Sequence, residues 1–269
     1  MSHHLVAVSD LRYAYPDGTA ALDGVTFTLH HGESVGLVGA NGAGKSTLLL
    51  HLAGVILPTH GTVRVGDWPV SAGTLAQVRR SLGLVFQDPD DQLFMPTVEE
   101  DVGFGPANLG LPPDEIQARI TAALERVGAL HLRARPPHRL SGGEKRAVAI
   151  AAVLAMTPDV LVMDEPSSNL DPRSRRRLIA QLRAFEHTKI IATHDLDLVL
   201  DACARTIVLI GGRVAADGPS GELLADDALL ARAGLERPLR LQGCPRCGAA
   251  PGGTGQALAI AADPSTGSG

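Results

Sequence analysis

The sequence has few cysteines, no long apolar run and no excess of basic residues, and each shortage excludes a class of protein. Its three cysteines, Cys203, Cys244 and Cys247, are too few and too unevenly spaced for a disulfide framework, so we expect reduced thiols. No apolar run approaches the roughly 20 residues that a membrane-spanning helix needs. The start MSHHLVAVSD lacks the basic and apolar regions of a signal peptide, and a formal net charge of −5 provides no basic face for nucleic acid. With 45% hydrophobic residues among 269, we expect a globular protein with a buried core that stays in the cytoplasm.

Alternating apolar residues near the start of the chain predict a small antiparallel β-lobe. The alternation runs from Leu5 to His31 and is interrupted by the turn signal Tyr15-Pro16-Asp17-Gly18. A short apolar strand at Ser34–Val38 follows, and a glycine-rich loop then leads into a predicted helix at Lys45–Ala53. Further strands are predicted at 61–65 and 82–86.

The middle of the chain changes to a helical pattern, which predicts an inserted helical lobe over about residues 89–157. Its predicted helix at Pro113–Val127 opens with two prolines, which suit a first helical turn. From Ser141 onward, helices alternate with the buried strands VLVMD, KIIAT and TIVLI. This alternation predicts an α/β fold whose mostly parallel sheet is covered by helices on both faces.

The chain is predicted to divide at residue 217. We expect residues 1–217 to form the main domain, and residues 218–269 to form a short helix (GELLADDALLARA) with a Gly/Ala/Pro-rich tail that is disordered at its end. The segment Cys244-Pro245-Arg246-Cys247 in this tail resembles half of a zinc knuckle. A closed zinc site needs four ligands, so zinc shared between two chains and a tail without function remain alternatives, the second being favoured.

A glycine-rich loop between a predicted strand and a predicted helix predicts a phosphate site. Gly39–Ser46 (GANGAGKS) matches GxxxxGK[ST], and glycines there let backbone N–H groups converge on a phosphate at the helix N-terminus. Lys45 is expected to meet the β- and γ-phosphates and the Ser46 hydroxyl to meet Mg²⁺. The alternative, a glycine turn that happens to precede a helix, is disfavoured because pattern and placement agree. The predicted nucleotide-binding residues of the loop are Gly39, Asn41, Gly42, Ala43, Gly44, Lys45, Ser46 and Thr47.

Two carboxylates follow the apolar strand Val160–Met163 and are predicted to act on the same nucleotide. They lie at the carboxyl edge of the sheet, where open α/β folds bind ligands. Asp164 is expected to hold Mg²⁺ through water, and Glu165 to act as general base on the water that attacks the γ-phosphate. Solvated carboxylates at a strand end are the alternative, which the upstream phosphate loop disfavours. The strand at 189–193 brings His194 to the same edge.

The segment Leu140–Lys145 (LSGGEK) opens a helix, and Ser141 and Glu144 have the spacing of a capping box. Its two glycines leave backbone N–H groups uncovered beside a serine hydroxyl, so this helix end can receive an anion such as a γ-phosphate. LSGGE between a phosphate loop and a VLVMDEP strand resembles the ATP-binding-cassette (ABC) family of P-loop NTPases, over about residues 5–217.

This resemblance implies an ATPase that uses MgATP and functions as a pair. The LSGGE segment, here called the signature, of one subunit would close on the ATP held by the phosphate loop of a second ABC subunit, identical or different. One chain alone would therefore be a poor ATPase. Electrostatic stabilisation of the γ-phosphate by Ser141, Gly142 and Gly143 fits that arrangement. By the same resemblance, Tyr15 stacks on adenine, Gln87 senses Mg²⁺ and the attacking water, Ser168–Asp171 crosses the dimer interface, and His194 contacts the γ-phosphate.

The segment after Gln87, FQDPDDQLFMPTVEEDVGFGPANLGLP, is similar to the ATPase subunits of energy-coupling-factor importers. The similarity implies a peripheral protein on the cytoplasmic face of the cell membrane, with a transmembrane coupling subunit and a substrate-binding membrane subunit as partners. A groove beside this segment would receive coupling helices that carry arginines. The alternative is that these acidic residues form only the solvated start of a helix, which its dipole stabilises. The acidic residues that would attract such arginines are Asp90, Asp91, Glu99, Glu100 and Asp101.

Within these importers, DEPSSNLDPRSRRRLI and ATHDLDLVLDAC resemble the cobalt/nickel branch more than the shared vitamin module. A separate membrane subunit selects the substrate in this family, so cobalt, nickel and a vitamin all stay open. A soluble ABC ATPase that acts on DNA or ribosomes would carry two cassettes or a long coiled-coil insertion, whereas only about fifty residues separate Gln87 from Ser141. A small-molecule kinase would have no use for LSGGE or the helical lobe.

Overall fold

The computed structural model describes residues 4–242, in which two β-sheets and a set of helices are built. The strands are β1 (His4–Ala14), β2 (Ala20–His30), β3 (Ser34–Val38), β4 (His60–Val65), β5 (Trp68–Pro69), β6 (Leu82–Val85), β7 (Val160–Asp164), β8 (Thr188–Ala192), β9 (Arg205–Ile210) and β10 (Arg213–Pro219). The helices are α1 (Lys45–Leu52), α2 (Leu75–Ser81), α3 (Val98–Asn108), α4 (Pro113–Val127), α5 (Gly142–Leu154), α6 (Pro172–Ala184), α7 (Leu196–Ala202), α8 (Ser220–Leu223) and α9 (Asp227–Arg232). Short 3₁₀ turns lie at Pro89–Asp91, Leu130–Leu132, Pro137–Arg139 and Leu239–Leu241.

The first sheet is antiparallel, with strand order β2-β1-β4-β5, which confirms the predicted N-terminal β-lobe. β1 and β2 form a hairpin whose register runs from His4 opposite His30 to Ala14 opposite Ala20. Alternating residues of β2, such as Val25, Phe27 and Leu29, are buried. Shifts of register within the hairpin break the strict period of two.

The second sheet has the order β10-β9-β3-β8-β7-β6, and every neighbouring pair except β10–β9 is parallel. Its central strands are buried on both faces, which is why their sequences are continuous apolar runs. One face packs on α5, α6 and α7. The other packs on α1 together with the antiparallel sheet, so this face is covered by a helix and a sheet and not by helices alone.

The helical layer of α3, α4 and α5 stands beside β6. Helix α4 has the predicted bounds and buries one stripe of apolar residues, and Gly128 ends it in the left-handed conformation at φ 70°. Helix α3 has no counterpart among the predicted helices, because Pro106 and two glycines lie within it and lower its intrinsic helix propensity. Packing explains those glycines: a Cβ on Gly103 would lie 2.9 Å from Ile120 Cδ1, and one on Gly105 would lie 2.6 Å from Met156 Cγ.

The segment after β10 returns to the main body of the structure. Its predicted helical stretch is divided into α8 and α9, because the Asp226 side chain accepts a hydrogen bond from the Leu229 N–H (3.0 Å) and starts a new helix. Leu239 and Arg240 then donate backbone N–H groups to Asp197 on α7. The predicted division at residue 217 and the lobe limits of 89–157 stay predictions, and the predicted tail with Cys244 and Cys247 lies outside the described residues. Within residues 4–242, each helix is too short or too polar to cross a bilayer.

Candidate nucleotide-binding site

The carboxyl ends of β3, β7 and β8 meet at one edge of the parallel sheet and border a cleft of about 410 Å³. Most of the predicted nucleotide and catalytic residues line this cleft, although they come from distant parts of the chain. Gly39 and Ala43 belong to its loop without lining it, and Asp164 lies near the lining residue Ser46. The lining residues are Tyr15, Thr19, Ala20, Ala21, Asn41, Gly42, Gly44, Lys45, Ser46, Thr47, Gln87, Glu165 and His194.

The glycine-rich loop between β3 and α1 has a backbone that only glycine permits at Gly44. This residue has φ 101°, and a Cβ there would collide with the carbonyl oxygen of Ala21. Gly44 is the N-cap of α1 and offers no side-chain acceptor, so the N–H groups of the first helical turn keep no capping partner. Those N–H groups and the positive end of the helix dipole give an anion site.

Lys45 is the one basic side chain of this loop and is only 6% exposed. Its Nζ donates to the carbonyl oxygens of Gly39 (2.8 Å) and Ala40 (3.2 Å). These two carbonyls hold the ammonium group across the mouth of the loop. A cation in that position can add Coulomb attraction to the hydrogen bonds that the loop offers to a phosphate.

The Asp164 carboxylate lies beneath the cleft, near the Ser46 hydroxyl. Burial raises the pKa of Asp164, and the hydrogen bond from Ser46 partly offsets that rise. Asp164 is 8% exposed and its Oδ1 has no hydrogen-bond partner. A buried carboxylate oxygen without a partner, next to a hydroxyl, fits a hard cation that is also bound by phosphate oxygens and water. No group of three or more His, Cys, Asp or Glu side chains between residues 4 and 242 is arranged to hold a metal by itself.

Glu165 follows β7 and adopts φ 44°, a left-handed conformation that is uncommon for a residue with a side chain. Its backbone N–H donates to the Ala192 carbonyl of β8 at 2.8 Å. The side-chain Oε2 accepts hydrogen bonds from Thr193 Oγ1 (2.9 Å) and the His194 N–H (3.3 Å), and His194 Nδ1 lies 2.9 Å from the same oxygen. The carboxylate is 9% exposed and the imidazole 64%, so a buried acid is held beside an exposed histidine. This geometry can orient a water molecule and accept its proton.

Tyr15 approaches the cleft from the antiparallel sheet, at the end of the β1–β2 hairpin. Its hydroxyl lies 2.8 Å from Thr47 Oγ1, and its ring meets Tyr13 edge to face at 5.2 Å between centroids. Tyr13 also contacts the buried His51 ring, whose Nδ1 donates to the Thr47 carbonyl (2.8 Å). The aromatic side chain at the mouth of the cleft is thus attached to the phosphate-loop helix by contacts that the sequence pattern does not reveal.

The signature residues lie apart from the phosphate loop within this chain. Ser141 and Glu144 form the predicted capping box: the Ser141 N–H donates to Glu144 Oε2 (2.8 Å) and the Glu144 N–H donates to Ser141 Oγ (3.4 Å). Gly142 borders a second cavity of about 360 Å³, which Gln87 also lines. Gly143 packs against α6, where an added Cβ would lie 2.5 Å from Ser174 Oγ. Gln87 is therefore the predicted residue that borders both cavities.

Several residues that organise the site are missed by sequence reasoning. Thr193 gives no signal, because a threonine at the end of a β-strand is common, yet it supplies a hydrogen bond to Glu165. Arg175 makes a double hydrogen bond with Asp195, which caps α7 just after His194. Arg146 is buried directly behind the signature and contacts the backbone of Gln87, 59 positions away.

Comparison with known proteins identifies the family. A family model described as "ABC transporter" matches residues 22–168. A protein of Geobacter sulfurreducens that is named as an ABC transporter ATP-binding protein is 64% identical over 248 residues, covering 92% of this chain and 100% of that protein. An energy-coupling factor transporter ATP-binding protein, EcfA, of Methanocaldococcus jannaschii is 45% identical, with 87% of this chain and 86% of that protein covered. The solved structure of cbiO1 from Clostridium perfringens, part of the ABC transporter complex cbiONQ, is similar with a TM-score of 0.76 and 40% identity, covering 86% of this chain and 94% of that one. This chain therefore belongs to the ABC transporter family, as an ATP-binding subunit with the P-loop fold that hydrolyses ATP.

Proposed function

We propose that this chain is the ATPase subunit of an energy-coupling-factor importer, of the branch that takes up cobalt or nickel ions. Similarity to EcfA and to cbiO1, a part of cbiONQ, supports the importer class. The observation that carries the proposal is an apolar groove on the helical layer that contains one buried, unpartnered carboxylate oxygen.

The groove, of about 380 Å³, lies between β6 and helices α3 and α5 and is lined mainly by apolar side chains. Phe94 and Phe104 meet edge to face at 5.0 Å and are 63% and 41% exposed, which is unusual for large apolar residues. Asp101 forms part of its wall and is 4% exposed. Its Oδ1 accepts from the Phe94 and Met95 N–H groups (3.0 Å each), whereas Oδ2 has no partner and burial raises the pKa of the carboxyl.

An apolar groove of this kind with a single carboxylate fits a helix that presents apolar side chains and one arginine. The arginine would supply the missing donor to Oδ2, and the phenylalanines would cover the apolar turns around it. Energy-coupling-factor importers couple to their membrane subunit through helices that carry arginines, so the groove supports membrane attachment at the cytoplasmic face. A substrate-binding membrane subunit would then select cobalt, nickel or another micronutrient.

For ATP hydrolysis, we assign two chains to each site. The phosphate-loop cleft and the signature helix border different cavities of one chain, so closure of a head-to-tail pair would bring Ser141, Gly142 and Gly143 of one subunit to the γ-phosphate in the other. Their N–H groups and hydroxyl would stabilise charge that develops on that phosphate. Mg²⁺ bound by Ser46 and Asp164 would neutralise charge on the β- and γ-phosphates.

We assign the other roles to residues that line the cleft. Lys45 and the loop N–H groups hold the phosphates, and Tyr15 stacks on adenine. Glu165 accepts the proton of the attacking water while Thr193 fixes its carboxylate. His194 contacts the γ-phosphate, and Gln87 orients the water and the Mg²⁺ ligands.

The test is membrane attachment of the full chain through Asp101. The tagged protein is expressed with the integral membrane proteins encoded beside it, and the complex is isolated in detergent. Asp101→Asn is expected to lose the membrane subunit, while Asp114→Asn, at an exposed carboxylate on α4 outside the groove wall, keeps it. Recovery of the chain with nucleic acid and without a membrane protein would reject the importer assignment. Uptake of radiolabelled cobalt, nickel or vitamin by cells that lack the chain then distinguishes the substrates.

A further inference from the structure

Arg146 on α5 is a buried cation whose placement the proposed function leaves unexplained. The residue is 4% exposed, and burial lowers the pKa of its guanidinium. Across residues 4–242, no carboxylate lies within ion-pair distance of it, although Asp88 and Asp164 act on it from further away. Burying a guanidinium without a carboxylate partner costs solvation energy, so packing alone does not explain an arginine at this position.

Two nitrogens of Arg146 donate to the backbone of the segment that carries Gln87, whereas its buried Nε has no hydrogen-bond partner. Nη1 donates to the carbonyl of Phe86 (2.7 Å) and Nη2 donates to the carbonyl of Gln87 (2.5 Å). A guanidinium presents its donors in a rigid planar fork, so binding two consecutive carbonyls fixes both the position and the direction of that peptide segment. Lysine, with one ammonium on a flexible stem, cannot reproduce this grip.

Two neighbouring contacts attach the same segment to the same helix. Lys145 Nζ lies 2.6 Å from Asp90 Oδ1, which connects the preceding residue of α5 to the turn after Gln87. Gln92 donates from Nε2 to the Ala149 carbonyl (2.7 Å) and accepts from the Phe86 N–H (3.3 Å). The stretch from Phe86 to Gln92 is thus held along the first two turns of α5.

The head of that helix is Ser141, Gly142 and Gly143. We infer that Arg146 is a positioning residue that fixes Gln87 to the signature helix, so that the two move as one unit when a second subunit closes. A γ-phosphate bound at the helix head in one site then determines where Gln87 stands in the other site of the pair. This inference rests on the proposed roles of Gln87 and of the two-chain site.

A purely structural role for Arg146 predicts something different. If Arg146 only stabilised the fold, its loss would lower the melting temperature and weaken turnover whether or not Gln87 were present. If Arg146 acts through Gln87, its loss has little further effect once the Gln87 side chain has been removed, because residues that act as a unit are not additive.

The experiment compares full-length Arg146→Met, Arg146→Lys, Gln87→Ala and the double variant Arg146→Met/Gln87→Ala. Arg119→Met is the matched control, since Arg119 also binds backbone carbonyls of this lobe, at Ala155 and Met156, but at the far end of α5. Turnover is measured against ATP concentration, and binding of a fluorescent ATP analogue reports the phosphate loop separately.

We expect Arg146→Met to lower kcat by about tenfold or more, the size of a lost hydrogen bond to a charged group. Nucleotide affinity should stay within about twofold of the unchanged protein. The kcat of Arg146→Lys should lie between that of Arg146→Met and that of the unchanged protein. This variant also keeps the inference testable if Arg146→Met fails to fold. In the Gln87→Ala background, the effect of Arg146→Met on kcat should shrink to about twofold or less.

Losses that multiply in the double variant would overturn the inference, as would unchanged turnover in Arg146→Met or an equal loss in Arg119→Met. The proposed function has a separate readout in this set. If Gln87→Ala itself leaves turnover unchanged, the assigned role of Gln87 fails, and with it the premise of the coupling. If Gln87→Ala is slow and Arg146→Met is not, only the coupling through Arg146 fails.

Discussion

The edge of the parallel sheet and the helical layer contribute to the candidate site by different means. At the sheet edge, Lys45, Asp164 and Glu165 lie in short segments that follow buried strands, so the pattern of neighbouring residues already indicates where each one lies. In the helical layer, Gln87 and the signature are placed by side chains such as Arg146 that join segments far apart in the chain. The sheet edge is therefore a fixed platform, whereas the helical layer holds its residues through a few specific contacts that a single substitution can remove.

The largest expected effect lies at the sheet edge. Glu165→Gln keeps the size of the side chain and removes its ability to accept a proton, so turnover should fall by about a hundredfold or more, the usual contribution of a general base. Steady-state ATPase assays measure the loss, and light scattering should still detect ATP-dependent dimers. Glu186→Gln, at an exposed carboxylate away from the cleft, is the control. Near-normal hydrolysis by Glu165→Gln would reject Glu165 as the base.

The next largest effect is expected on stability, at the N-terminus of α5. Gly143→Ala places a Cβ 2.5 Å from Ser174 Oγ and should lower the free energy of unfolding by about 1–3 kcal/mol, as overpacking does. Gly142→Ala is the matched control, because a Cβ added at Gly142 would meet no atom within 4 Å. Urea denaturation of both variants checks the difference. Equal stability of the two would mean that α5 and α6 are not in close contact.

A smaller effect is expected from the support of the base. Thr193→Val keeps the shape of the side chain but removes the hydrogen bond to Glu165 Oε2, so kcat should fall by about tenfold with little change in KM. Steady-state kinetics over a range of ATP concentrations separate the effect on kcat from the effect on KM. If kcat is unchanged, the sheet edge holds Glu165 without help from Thr193.

The smallest effect is a dependence of stability on pH in the helical layer. Burial raises the folded-state pKa of Asp101 above its ordinary value of 3.8, so the folded protein binds the proton more tightly than the unfolded chain. Its contribution to stability is fully present below that ordinary value and is lost as pH rises through the raised pKa. Relative to the unchanged protein, Asp101→Asn should therefore gain stability as pH rises above about 4. Denaturant midpoints at several pH values check this, and a difference that stays constant with pH would contradict it.

The fold can be predicted where the chain is locally regular. Buried parallel strands are apolar runs, so the sequence predicts β3 and β7 with the bounds that the structure has, and it does the same for the amphipathic helix α4. Helix α3 is missed because its glycines and Pro106 lower the helix propensity of the segment. The glycines allow close contact with neighbouring residues, and local propensity carries no information on such contacts. The division between α8 and α9 depends on one capping aspartate, which hydrophobic periodicity does not weigh.

The candidate site divides in the same way. The phosphate loop, the acidic strand end and the signature are short motifs whose members are neighbours in sequence, so each can be found by its pattern. Arg146 and the Gln87 backbone are 59 positions apart, and Lys145 and Asp90 are 55 apart. Spacing within a motif carries no information on such pairs, so they can be identified only from the folded structure.

The left-handed bend at Glu165 has a consequence for which substitutions the enzyme can tolerate. A side-chain-bearing residue at φ 44° loses about 1–3 kcal/mol to its conformation, and the hydrogen bond to Ala192 on the neighbouring strand helps to retain it. The orientation of the Glu165 carboxylate thus depends on β8, a strand that has no proposed contact with nucleotide. Substitutions that shift β8 along its length should slow turnover by moving both Glu165 and the adjoining His194, so inactive variants will arise well outside the recognised motifs.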